Sequence, residues 1–126
     1  MAAYARIDLA EMDEFLGQFA PAGFVFVRVT PPGCNEVVYD CPFPFDSTAK
    51  IRIYTSIDPT TGVGRGVGAD AIRVTVLHTR DDRPLLQRQQ RVHRVAGWRA
   101  NLRARLRSIT VARLERVRAW RGNPVA

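Results

Sequence analysis

The segment Lys50-Ile-Arg-Ile-Tyr-Thr-Ser-Ile57 alternates apolar and polar residues, a period-two pattern that fits a strand with one buried face. A helix would scatter Ile51, Ile53 and Ile57 around its circumference. Ala69-Asp-Ala-Ile-Arg-Val-Thr-Val-Leu77 repeats the pattern a short way on, so the two are predicted to pair as antiparallel neighbours. Two earlier strands are predicted at Phe24-Val-Phe-Val-Arg-Val-Thr30 and Glu36-Val-Val-Tyr-Asp40, separated by the turn Pro31-Pro-Gly33. Cys41-Pro-Phe-Pro-Phe-Asp-Ser47 reads as an irregular connection, because two prolines oppose a central strand. Leu85 to Val95 is the predicted fifth strand, although Gln87-Arg-Gln-Gln-Arg91 also tolerates a helix.

Helices are predicted at both ends. Asp8-Leu-Ala-Glu11 has the form of a capping box, and Met12, Phe15, Leu16 and Phe19 follow as one apolar stripe. Ala20-Pro-Ala-Gly23 stops that helix. Gly97-Trp98 opens a long helix reaching about Trp120, with Gly122 and Pro124 closing it. Trp98, Leu102, Leu106, Ile109, Val117 and Trp120 share one side and are its expected core residues. The order is helix, four or five strands, helix. Short connections make it an α+β fold with an antiparallel meander and helices on one face, and 126 residues suit one domain.

Charge divides the chain more sharply than folding requires. Residues 71–126 hold fourteen arginines against three acids, whereas residues 1–70 hold five basic groups and nine acids. That asymmetry sets the sign of the potential over one side of the molecule and favours a polyanionic partner. Arginine outnumbers lysine eighteen to one, and a GC-rich genome would explain that preference but not its position.

Alternation sorts side chains onto two sheet faces. Val25, Val27, Val29, Ile51, Ile53, Ile57, Ile72, Val74 and Val76 form the expected core face. Phe24, Phe26, Arg28, Lys50, Arg52, Tyr54, Arg73 and Thr75 fall on the other, together with Gln89, Arg91 and His93 of the fifth strand. Rings interleaved with cations on an open sheet suit single-stranded nucleic acid, since bases stack on rings while cations follow phosphate. The competing arrangement has Phe24 and Phe26 covered by the first helix. On the terminal helix Arg103, Arg107 and Arg118 line a flank where Glu115 is the only acid, and phosphate contact is expected there. Gly62-Val-Gly-Arg-Gly-Val-Gly68 leads into a strand rather than a helix, so it is read as a hairpin tip carrying Arg65, not a nucleotide loop.

The expected function is nucleic-acid binding with single-stranded DNA favoured, through the sheet face and the arginine helix. The alternatives are a module that docks on an acidic protein or on a second copy, and a metal-dependent nuclease. No catalytic residue, metal site or cofactor is assigned. Asp40, Asp46, Asp58 and Asp70 sit at turns and strand ends, and Cys34, Cys41, His78 and His93 lack zinc-knuckle spacing. The N-terminus meets Asp8 and Glu11 before any apolar run develops, unlike a signal peptide, and no run approaches the ~18 apolar residues of a membrane span. The expected location is the cytoplasm or the interior of an infected cell, with no membrane partner.

Ile53-Tyr-Thr-Ser-Ile57, Arg65-Gly-Val-Gly68, Asp70-Ala-Ile-Arg-Val74, Arg91-Val-His-Arg94 and Gly97-Trp98 together resemble a pattern in small uncharacterised proteins of phages and GC-rich bacteria. The resemblance spans about residues 50–106 and implies no activity, cofactor or partner. The predicted layout is similar to that of single-strand annealing proteins at the level of architecture.

Overall fold

A computed structural model describes residues 6–65, 72–85 and 97–122. The chain enters as β1 (Arg6–Asp8) and passes directly into α1 (Leu9–Gly17). Asp8 caps that helix, its Oδ1 accepting from the Glu11 amide at 3.0 Å. Met12, Phe15 and Leu16 are buried, as their spacing predicts. A 3-10 turn at Ala20–Ala22 follows, and Gly23 turns the chain at φ 94°, a conformation that favours glycine.

The main sheet is an antiparallel meander of β2 (Val27–Arg28), β3 (Val38–Phe43), β4 (Asp46–Tyr54) and β6 (Arg73–His78), in that spatial order. Between β4 and β6 the chain makes β5 (Val63–Arg65), which pairs with β1 as a separate two-stranded sheet. Closing the fold is α2 (Trp98–Gly122), entered through Gly97 at φ 87°. One core joins Ile7 of β1, the α1 stripe, Tyr39, Cys41, Ile51, Ile53 and Val76 of the sheet, and Trp98, Leu102, Leu106 and Ile109 of α2. Phe15 meets Trp98 edge-on at 5.3 Å between ring centroids, so both helices lie on the same side of the meander.

Three expectations are corrected. The first predicted strand contributes only two paired residues, and its faces are the reverse of those expected. Val27 stands opposite Asp40 and Arg28 opposite Tyr39, which turns Val25 and Val27 outward at 52% and 54% exposure. Phe24 and Phe26 turn inward instead. Phe26 meets Phe19, Phe24 meets Phe45, and both pack against the core. Aromatic rings bury more apolar area than valines, so the inverted face is the one that better covers the end of the α1 stripe.

Cys41–Ser47 is a hairpin rather than an irregular connection. Phe43 pairs with Asp46 across Pro44-Phe45, and the register shift falls between Pro42 and Phe43. Proline is tolerated there because β2 has already ended, so that edge of β3 asks no amide of it.

The first part of the glycine-rich run is built into the fold, since Val63–Arg65 pairs with β1 rather than forming a hairpin tip between β4 and β6. Gly64 crosses the backbone of Ser56 so closely that a Cβ on it would lie 2.5 Å from the Ser56 carbonyl oxygen. Leu85 starts toward the predicted fifth strand, its amide donating to Val76 O at 2.8 Å, while the rest of that strand lies outside the described residues.

Candidate nucleic-acid interface

Lys50, Arg52 and Tyr54 share the outer face of β4, as their alternation predicts, but this face is not an open basic platform. Asp40, across the sheet on β3, takes both Arg52 donors, Nε at 2.7 Å and Nη2 at 2.8 Å. Its Oδ2 also lies 3.3 Å from Lys50 Nζ. From the turn after β6, Asp82 reaches Lys50 at 2.5 Å and Arg52 at 3.2 Å. Two cations and two carboxylates thus cancel, and the Lys50 and Arg52 side chains are only 15% exposed. Asp82 sits at φ 57°, a strained position for a non-glycine residue that its two ion pairs offset. The Lys50 hydrogen bond, chiefly, holds the Asp82 carboxyl below its ordinary range, and the Asp40 hydrogen bond, chiefly, raises the Arg52 pKa. Val38 and Leu77, which share this face, are buried as well.

The other sheet cations are also committed. Arg73 pairs with Glu36 at 2.8 Å and lies over the Tyr54 ring at 4.6 Å, covering the ring expected to stack on a base. Arg28 pairs with Asp13 of α1, which also accepts from the buried Tyr39 hydroxyl. Burial and that hydrogen bond raise the Tyr39 pKa. With Phe24 and Phe26 half-buried against the core, the expected aromatic–basic face is therefore divided between the interior and ion pairs. Arg91 and the side chain of Arg65 lie outside the described residues.

On α2 the arginines differ sharply in their partners. Arg99 stacks on Trp98 at 4.5 Å and reaches Glu11 at 3.4 Å. Arg105 donates to the Ile72 carbonyl at 2.7 Å, and Arg113 pairs with Asp46. Among the described residues Arg103 meets neutral partners, the Phe15 ring at 5.4 Å and the Gln18 amide oxygen at 3.3 Å. Exposed Arg107, Arg116 and Arg118 have no carboxylate partner among the described residues. At 100° per residue, Arg103, Arg107 and Arg118 fall within about 60° of one another on the side away from Leu102 and Ile109. Arg107 stands about 6 Å beyond Arg103 along the axis, and Arg118 about 17 Å beyond Arg107.

The core stripe of α2 also ends earlier than its spacing predicts. Trp98, Leu102, Leu106 and Ile109 are buried, but Trp120 is 76% exposed. A 25-residue helix is about 37 Å long, whereas even the nine-residue β4 spans about 30 Å, so the far turns outrun the sheet. There α2 faces the tip of the β3–β4 hairpin across a groove of ≈ 540 Å³ lined by Phe45, Thr48, Arg113, Arg116, Val117 and Trp120. Trp120 was legible as a member of the stripe, but its exposure was not, because it depends on how far the sheet extends beneath it.

No group of three or more His, Cys, Asp or Glu side chains is placed to hold a metal ion among the described residues. Both cysteines are free thiols, and burial pushes Cys41 up to about 12, which makes it a poor nucleophile. No described helix is long and apolar enough to cross a membrane. Comparison with protein-family models, curated proteins and solved structures found no match to this chain.

Proposed function

We propose that this protein binds nucleic acid through the arginine ridge of α2. One observation carries the reading. Arg103, Arg107 and Arg118 share a solvent face with no carboxylate partner among the described residues, while Arg28, Lys50, Arg52 and Arg73 on the sheet all have one. A solvated helix face normally mixes charge signs, and α2 has eight arginines against the single acid Glu115. A row of guanidinium groups whose charges are not neutralised fits phosphates spaced along a strand and releases counterions on contact.

The test is binding to oligo(dT), duplex DNA and an RNA of equal length across a salt gradient. A linear fall of log K with log salt is expected, and the triple variant R103Q/R107Q/R118Q should lower its slope by roughly 0.7 per lost contact on single strands. Binding that ignores salt, or a triple variant with the parent slope, overturns the reading. Changing Arg52 to Gln should leave the slope intact, since that charge is already cancelled by Asp40.

The edge strand supports a second reading, self-association. Val27 of β2 and the flanking Val25 and Val29 are exposed, and β2 has a partner on one side only among the described residues. Sedimentation equilibrium with Val27→Lys tests it. A concentration-dependent mass that this variant abolishes would establish the edge as an interface.

A further inference from the structure

We infer that the groove between the far half of α2 and the β3–β4 hairpin seats one unpaired nucleotide of a single strand, its base on Trp120 and its phosphate at Arg116. This rests on the nucleic-acid reading above and names the substrate class. Trp120 and Arg116 are four residues apart, one turn and about 6 Å, so ring and cation face the same space. The volume of ≈ 540 Å³ lies within the roughly 300–1,000 Å³ of small-ligand sites.

The charges on the rim favour an anion. Among the described residues Asp46 is the one acid lining the groove, and it is engaged by Arg113 and by the Thr48 amide and hydroxyl at 3.1 and 2.6 Å. Arg113 also donates to Thr48 Oγ1 at 3.2 Å, which ties the helix to the hairpin and fixes the width of the groove. Arg116 has no carboxylate partner among the described residues.

The shape of the apolar part favours a base over a peptide. An amphipathic helix needs a continuous apolar trough with anchors at successive turns. Here the apolar part of the α2 wall is a single turn, Val117 and Trp120, because Arg113 and Arg116 occupy the turn before it, and Trp120 is 76% exposed with a flat indole. A flat ring beside a cation matches a base with its phosphate. Duplex DNA keeps its bases stacked on each other, so only a single strand can present one.

The experiment titrates the parent, W120A, W120F and R116Q into labelled oligo(dT) and a labelled duplex of equal length, following the anisotropy of the label across a salt series for all four, and indole emission for the parent and R116Q. Trp98 is buried, so quenching on binding is expected from Trp120. W120A should lose roughly five- to 150-fold in oligo(dT) affinity with an unchanged salt slope and unchanged duplex binding. W120F keeps a ring and should stay close to the parent, and R116Q should lower the single-strand slope by roughly 0.7. Thermal unfolding confirms that the variants fold.

If the parent binds with a steep salt slope but W120A binds oligo(dT) equally well, the groove assignment falls and the arginine ridge stands. A W120F variant as weak as W120A also overturns it, as does poly-glutamate displacing oligo(dT) from the groove as effectively as unlabelled oligo(dT). A parent that binds no nucleic acid overturns both readings.

Discussion

Arg52 lies flat across Asp40, Nε to Oδ1 and Nη2 to Oδ2, in the two-pronged geometry that makes guanidinium–carboxylate pairs strong. The pair joins β3 to β4 on the outer face of the sheet, with Lys50 beside it and Asp82 above. It turns what looks like a basic strand face into a neutral one. It also ties the turn after β6 to the sheet, because Asp82 shares the same two cations.

Removing Asp40 should therefore be costly. Asp40→Ala leaves two largely buried cations sharing the more exposed Asp82, and the expected loss is about 3 kcal/mol, the lower end for a broken buried pair. Urea denaturation measures it. A loss below about 1 kcal/mol, the size of a surface pair, would mean that the cluster is solvated.

Glycine is required at Gly64 and not at Gly17. Gly64→Ala would drive a Cβ into the Ser56 backbone, with contacts of 2.5 to 2.8 Å, and should cost about 1–3 kcal/mol while loosening β5 from β1. Gly17→Ala meets nothing within 4 Å at the end of α1 and should stabilise by about 0.5–1 kcal/mol. Thermal melts of the two variants, which differ in sign, check this.

The two ends of α2 should respond oppositely to truncation. Leu102→Ala opens the core and is expected to cost about 2–5 kcal/mol. Trp120→Ala removes an exposed ring and should stay within about 0.5 kcal/mol of the parent. Guanidinium melts of both variants, read by far-ultraviolet circular dichroism, make the comparison.

Acid should destabilise the protein through two carboxylates. Burial opposes ionisation of Asp46, but hydrogen bonds from Thr48 and Arg113 outweigh it, so its pKa is lowered, as is that of Asp82 through Lys50. A folded pKa below the unfolded value of about 3.9 gives stability that is present above that pH and lost as pH falls through the folded pKa. Urea midpoints should drop below about pH 4. Asp46→Asn should be less stable than the parent near neutrality and lose less on acidification.

The sequence by itself determined the elements whose signals are local. The Asp8 cap, the α1 stripe, the alternation of β4 and its pairing with β6, and the start of α2 at Trp98 follow from side-chain period and capping chemistry, which need no distant partner. Tertiary structure decided what depends on how elements meet. Phe26 turns inward because Phe19 waits there, and Gly64 is a crossing point because the Ser56 backbone passes beneath it. Lys50 and Arg52 are neutral as a group because Asp40 and Asp82, from other parts of the chain, converge on them. Trp120 is exposed because a helix rising 1.5 Å per residue outruns the sheet it packs on. Period assigns a residue to one side of its own element, and only packing decides whether that side meets a core, an opposite charge or water.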